Sequence, residues 1–263
     1  MTLRSSLVAT IVALLLVFFL GGGPGSPDQL PSPAPDRVTE PTAGRPPTTS
    51  DSVEDALPTE GTNLDRSRSD GAQTATAREA KPLAGRTVVL DAGHGGADPG
   101  AIGVSGRTWE KYNTLFVALD AKAMLERAGA RVIMTRSDDR YVPLATRAAM
   151  ANRAGADVFI SIHNDWNPNA SLRGVTTYYY HERSRRLAET MQAHLVAALG
   201  ARDVGVLRRS FQVVRETSMP SVLLELGFLS NWNDERLLAD PAYRYRAAQA
   251  IYNGVIEYLM QAG

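Results

Sequence analysis

No phenylalanine, tyrosine or tryptophan occurs between Phe19 and Trp109. Large apolar side chains are what offset the conformational entropy lost on folding, so this gap confines the folded part of the 263-residue chain to its C-terminal portion. Ten of the fifteen prolines fall at or before Pro82, and residues 23–84 are dominated by Pro, Ser, Thr, Asp and Gly. That composition predicts a disordered tether, with the prolines from Pro24 to Pro47 keeping its first half extended. Residues 85–263 are then one domain, long enough for a single well-buried core.

Ahead of the tether, Arg4 precedes the apolar run from Leu7 to Leu20. Residues 1–22 therefore read as an export signal, either cleaved as a signal peptide or retained as a membrane anchor. The run is shorter than the roughly 20 residues a spanning helix prefers, but Gly21-Gly22-Gly23 can extend it. Either outcome puts the domain outside the cytoplasm, in the periplasm or cell wall. Lys plus Arg number 28 and Asp plus Glu number 28, so no net charge draws the chain to nucleic acid. The chain has no cysteine, which excludes disulfides, thiolate zinc sites, a catalytic thiol and a lipid-modified cysteine. No internal repeat is present, and the expected state is a monomer.

After Gly85, short β-branched runs alternate with helical ones, which predicts an α/β domain with a central sheet. Four runs read as buried strands: Thr87 to Leu90, Arg131 to Thr135, Val158 to Ile162 and Ser221 to Glu225. A helix is expected from Glu110 to Ala128, where Tyr112, Leu115, Phe116, Leu119 and Ala123 recur at helical spacing and Gly129 supplies a stop. A second is expected from Ser184 to Leu199. A third starts at Asp240-Pro241, a cap followed by proline in the first turn, with Ile251, Val255 and Leu259 on its buried face. Gly174 to Tyr180 and Phe211 to Val214 read as further strands.

Two of these strands end in histidine. Leu90-Asp-Ala-Gly-His94-Gly-Gly runs from a buried strand into a loop whose glycines permit tight turns, and Val158-Phe-Ile-Ser-Ile-His163 does the same. The Gly-rich loop lacks the Lys-Ser/Thr of a P-loop and the spacing of a dinucleotide fingerprint. In a parallel sheet both histidines emerge at one edge, where their nitrogens can converge on one ion. Glu110 opens a helix, and Glu225 interrupts the apolar strand Val222-Leu-Leu-Glu225-Leu, where an ionisable group needs a partner or a function. Two histidines and one carboxylate fill three positions of a tetrahedral zinc and leave the fourth for water, while a second carboxylate serves as base. This pattern specifies a hydrolytic site without choosing the bond to be cut.

The motifs together are more specific. Val89-Leu-Asp-Ala-Gly-His94-Gly-Gly-Ala-Asp-Pro-Gly-Ala-Ile-Gly103, Glu110-Lys111, Thr135-Arg136 with Asp139, Ala151-Asn152, Ser161-Ile-His163 and Glu225-Leu-Gly-Phe-Leu-Ser-Asn231 resemble the zinc-dependent N-acetylmuramoyl-L-alanine amidases of the amidase_3 type, over the whole folded domain. The resemblance implies a twisted mixed sheet flanked by helices. It also implies one Zn2+ on His94, Glu110 and His163, Glu225 as catalytic base, and peptidoglycan as substrate, cut between N-acetylmuramic acid and L-alanine. The chain departs from that family's pattern at Asn164-Asp165, where a small residue and asparagine are common. Only ten residues separate His163 from Gly174, so the inhibitory helix that some members insert there is not expected. His181 and His194 read as solvated, Tyr178-Tyr-Tyr180 as packing, and Arg208, Arg209 and Arg215 as a solvated basic stretch.

Overall fold

The computed structural model describes residues 81–261. The expected signal or anchor, and all but the last four residues of the expected tether, lie outside that range. Within it, β1 (Thr87–Ala92), α1 (Glu110–Arg127), β2 (Arg131–Met134), α2 (Leu144–Ala154) and β3 (Val158–Asp165) are followed by β4 (Val175–Tyr179), α3 (Arg185–Leu199), β5 (Asp203–Arg208), α4 (Gln212–Arg215), β6 (Ser221–Phe228), α5 (Trp232–Ala239) and α6 (Pro241–Gln261). The six strands form one mixed sheet in the order β2-β1-β3-β6-β4-β5. Every pairing is parallel except β4 with β6. Among the described residues no helix is long and apolar enough to cross a membrane.

Side-chain alternation divides the sheet cleanly. Val88, Leu90, Ile160, Ile162, Val222 and Leu224 join residues of α1, α3 and α6 in the larger core. Val89, Phe159 and Leu223 face the other way, against Ala151 of α2 and Val213 and Val214 of α4. The four expected strands and three expected helices are present, but β2 is an edge strand whose residues are exposed or half-buried rather than buried, because only β1 flanks it; Ile251, Val255 and Leu259 are buried on α6. Asp240 caps that helix, its Oδ1 accepting from the Ala242 amide at 2.9 Å. Tyr179 is buried, and Tyr178 and Tyr180 pack on the smaller core.

Other elements differ from expectation for identifiable reasons. Phe211 to Val214 is not a strand: β6 already has β3 and β4 on its two sides, so no free ladder position adjoins it. The segment instead makes one helical turn, burying Val213 and Val214 under the sheet. On α1 only Leu115 of the five spaced residues is buried. Tyr112, Phe116 and Leu119 are exposed, and the inward face is built from Thr114, Val117, Ala118, Ala121, Met124 and Leu125. Small residues let that helix approach α6 and the sheet closely. Leu83, at the end of the expected tether, is fully buried, and its amide donates to the Ala128 carbonyl at 2.9 Å.

The buried face of α2 carries a charge. Arg147 and Arg136 are 1% and 2% exposed, and both serve the segment after β1. Arg147 donates to Asp91 Oδ1 at 2.8 Å, to the Ala92 carbonyl at 2.6 Å and to the His94 carbonyl at 2.7 Å. Arg136 donates to the carbonyls of Ala92, Gly93 and Lys111. Asp91 also accepts from the hydroxyls of Thr135 at 2.6 Å and Ser161 at 2.7 Å. Burial alone would raise the Asp91 carboxyl, but Arg147 and the two hydroxyls outweigh it and hold the group below its usual value. A depressed folded pKa contributes stability above the ordinary carboxylate range and loses it as pH falls through the depressed value. Arg147→Met strands the Asp91 charge and should cost about 3–5 kcal/mol in urea unfolding at neutral pH, with a smaller deficit once acid has protonated Asp91; an unfolding midpoint equal to wild type at pH 7 would contradict this.

Candidate functional site

The parallel pairing of β1 with β3 delivers both histidines to one edge of the sheet. Beyond β1 the chain turns sharply, with the Gly93 amide donating to the Ile162 carbonyl and His94 at φ 61° in the left-handed region. The arginine contacts to the carbonyls of Ala92, Gly93 and His94 hold that turn. Gly93 is required by contact: a Cβ there would lie 2.4 Å from Cε1 of His163. Gly100 is equally constrained, since its Cβ would meet Glu110 Oε2 at 2.5 Å.

Glu110, the first residue of α1, completes the cluster. Its Oε1 lies 3.1 Å from His94 Nε2 and 2.9 Å from His163 Nδ1, and also accepts from the Asn164 amide at 2.9 Å. Its Oε2 accepts from the Ala101 amide at 2.8 Å. Burial would raise the Glu110 carboxyl, but the two imidazoles hold it far below its usual value. His94 moves upward: burial opposes the imidazolium, but Glu110 and Asp98 outweigh it. One donor atom from each of His94, Glu110 and His163 lies within 4.8 Å of the others. Tetrahedral zinc with ligands at about 2.0–2.2 Å needs donors about 3.3 Å apart. Glu110 Oε1 meets that spacing to both histidines, at 3.1 and 2.9 Å, and two imidazole nitrogens with one carboxylate suit zinc in chemistry.

Glu225 stands directly across the β3–β6 ladder from His163. Its residue is 9% exposed, and its Oε2 is buried without a hydrogen-bond partner. Burial first, then the Asp165 and Glu110 carboxylates, push it well above the usual carboxylate range. Asp165 is pushed up to about 6 by burial, reinforced by Glu110. It sits past a bulge in β3, two residues beyond His163. On β4, Thr176 pairs across the antiparallel ladder with Glu225, and Tyr178, on the same face, is raised by burial and by Asp165 and Glu225.

All four residues singled out from the sequence lie in this region. Asp98 is not among them. Its Oδ2 is 2.8 Å from His94 Nδ1, which leaves Nε2 to face Glu110; such a carboxylate fixes the tautomer and orientation of a ligating imidazole. Its signal was the four-residue offset from His94 in a tight Gly-Gly turn. Asp165, at the Asn164-Asp165 departure from the family pattern, has no role that a strand pattern could reveal, because nothing in the sequence foretells the bulge after His163 that places it near Glu225. The other two histidines stay away from the cluster: His181 Nε2 contacts the Arg215 carbonyl and His194 Nε2 contacts Glu257. Arg208, Arg209 and Arg215 make exposed contacts to nearby carbonyls. No helix interrupts the chain between His163 and Gly174. A cavity of about 490 Å³ is lined by Lys81, Met124, Arg127, Tyr245 and Tyr252. It lies at the far end of α1, roughly 25 Å along the helix from Glu110, and holds none of these groups.

A mixed six-stranded α/β sheet here brings two histidines and two carboxylates to one edge, and three of these, His94, Glu110 and His163, could hold a metal ion. Residues 88–257 match the Amidase_3 family, N-acetylmuramoyl-L-alanine amidase, and the chain belongs to that family. It is 42% identical over 183 residues to the probable cell wall amidase LytH of Staphylococcus saprophyticus, covering 69% of this chain and 61% of that one. It is also 42% identical over 189 residues to the uncharacterized Bacillus subtilis protein YqiI, covering 70% of this chain and 90% of that one. The catalytic domain of CwlV, an N-acetylmuramoyl-L-alanine amidase of Bacillus (Paenibacillus) polymyxa, superimposes with a TM-score of 0.65 at 40% identity, covering 66% of this chain and 98% of that one.

Two substitutions test the ligand geometry. Asp98→Asn should weaken zinc binding about 10- to 100-fold in a chelator competition, the range for a carboxylate supporting a metal ligand. Gly93→Ala should displace the His163 imidazole and lower zinc stoichiometry while leaving the circular dichroism spectrum unchanged. Full zinc content in Gly93→Ala would mean that His163 is not a ligand in the position described.

Proposed function

We propose that this chain is a zinc-dependent N-acetylmuramoyl-L-alanine amidase that hydrolyses the amide between the lactyl group of N-acetylmuramic acid and L-alanine in peptidoglycan. It acts as a monomer with one zinc ion per domain, outside the cytoplasm, in wall cleavage, remodelling or daughter-cell separation. Residues 1–22 direct export or anchor the chain, and the segment from residue 23 up to the point where Leu83 packs into the core tethers the domain. The observation that supports this reading most is the convergence of His94, Glu110 and His163 beside a carboxylate with an unpartnered buried oxygen, in a member of this family.

In this reading His94, Glu110 and His163 hold the ion. Zinc bound there supplies a Lewis acid that polarises the amide carbonyl and makes water nucleophilic near neutral pH. Glu225 takes one proton from the attacking water and delivers it to the nitrogen of L-alanine, so that the amine leaves neutral as the C–N bond breaks. Burial suits that task, because a carboxylate held above its usual range binds a proton more firmly than a solvated one. Asp98 keeps Nε2 of His94 directed at the ion, and the Asn164 and Ala101 amides hold the Glu110 carboxylate in place. Because ligands must be deprotonated to bind metal, zinc affinity should fall as acid protonates His94, whose titration lies above the usual imidazole value.

The test is mass spectrometry of purified peptidoglycan after digestion by the zinc-loaded protein. Expected products are free stem peptides beginning with L-alanine and intact glycan strands. Glu225→Gln should lose at least about 100-fold in turnover, the scale of a general base, while retaining zinc. His94→Ala or His163→Ala should lose the metal. Products cut within the peptide or the glycan would refute the amidase reading, and an active Glu225→Gln would remove Glu225 from the proton transfer.

A further inference from the structure

Two polar atoms at the site have no partner and face the same surface of the sheet. Thr176 and Glu225 are directly opposed in the antiparallel β4–β6 ladder, where opposed residues project to the same side with Cβ atoms about 4.5–5.5 Å apart. Their neighbours fix that side. Thr177 turns to α3, its hydroxyl donating to Gln192 at 2.8 Å, so Thr176 points away from α3, with Tyr178 and toward the face holding His163 and Glu225. On its other flank Thr176 pairs with Gly205, which has no side chain to offer. Thr176 is fully buried, and both its Oγ1 and Glu225 Oε2 lack a hydrogen bond.

A buried hydroxyl without a partner costs about 1–3 kcal/mol. Valine has the same branched shape, favours strands and avoids that cost. An unbonded hydroxyl at this position is therefore explained neither by packing nor by folding. Of the four buried side-chain atoms without partners among the described residues, two belong to this cross-strand pair.

Building on the zinc amidase reading, we propose that Thr176 is the positioning residue for Glu225. Its hydroxyl, free of any competing acceptor, turns about χ1 and donates to the Glu225 carboxylate, directly or through one water. That bond fixes the carboxylate in the rotamer that reaches the attacking water. Thr176 touches no reacting atom and acts only through Glu225.

Steady-state kinetics of Thr176→Val and Thr176→Ser in the full-length zinc protein tests this. Thr176→Val should lower kcat about 10- to 100-fold, the range for one hydrogen bond to a charged group, with KM and zinc content unchanged and Tm equal to or above wild type. Thr176→Ser, which keeps the hydroxyl, should restore kcat to within about threefold of wild type. Wild-type kcat in Thr176→Val overturns the proposal, as does a kcat loss accompanied by loss of zinc or of folding, or one that serine fails to restore. A wild-type protein that releases no L-alanine-terminated stem peptides overturns the amidase reading and this inference together. Stem-peptide release by wild type, abolished in Glu225→Gln but undiminished in Thr176→Val, overturns the inference alone.

Discussion

The ion pair between Asp91 and Arg147, sealed inside the domain at 2.8 Å, is the contact on which the site depends. It is not there for stability alone, since a buried pair often does no better than apolar side chains of equal volume. Its effect is on backbone geometry. The turn after β1 leaves three consecutive carbonyls, of Ala92, Gly93 and His94, inside the protein with no strand to bond them. The guanidinium groups of Arg136 and Arg147 supply the donors. Asp91 compensates the charge this brings into the core. Without that arrangement a left-handed histidine at a buried strand end would be both strained and unsatisfied.

From this turn the rest of the cluster follows by contact. Arg136 donates to the Lys111 carbonyl, so the same side chain that shapes the His94 turn also seats the first turn of α1. Lys111 closes the loop in return, its Nζ donating to the Gly96 carbonyl at 2.9 Å and to Asp139 at 2.7 Å. Asp139 accepts from the Gly96 amide at 2.8 Å. Glu110 is held between two histidines whose own positions are set by main-chain bonds. Arg136, Lys111 and Asp139 lie within the motifs quoted from the sequence, and the structure gives them a common task in bracing the loop.

Most of the architecture was legible from periodicity and strand-end chemistry. The apolar strands, the helix after Glu110 and the convergence of His94 and His163 follow from the fact that parallel strands deliver their ends to one edge. What could not be read depended on partners distant in sequence. The buried face of α2 is made by alanines and Arg147, so an apolar count underrates it. The edge strand β5, with Gly205 and half-exposed side chains, carries little signal. Tyr112, Phe116 and Leu119 are spaced as a buried stripe yet lie outside, because α1 packs through its small residues. Asp98 and Thr176 acquire their surroundings only through the turn at His94 and the reversal of β4.

That reversal has a spatial consequence. A parallel strand after β3 would require a crossover of a dozen or more residues, and its returning chain would build over the edge where β1, β3 and β6 end. Because β4 runs the other way, it starts at that edge after a short connection, and the chain leaves immediately along the sheet. At that edge the His94 side chain is 24% exposed, and Trp166, three residues past His163, is 53% exposed. An edge left clear of a returning crossover can be met from the side by an extended chain, at any point along that chain's length.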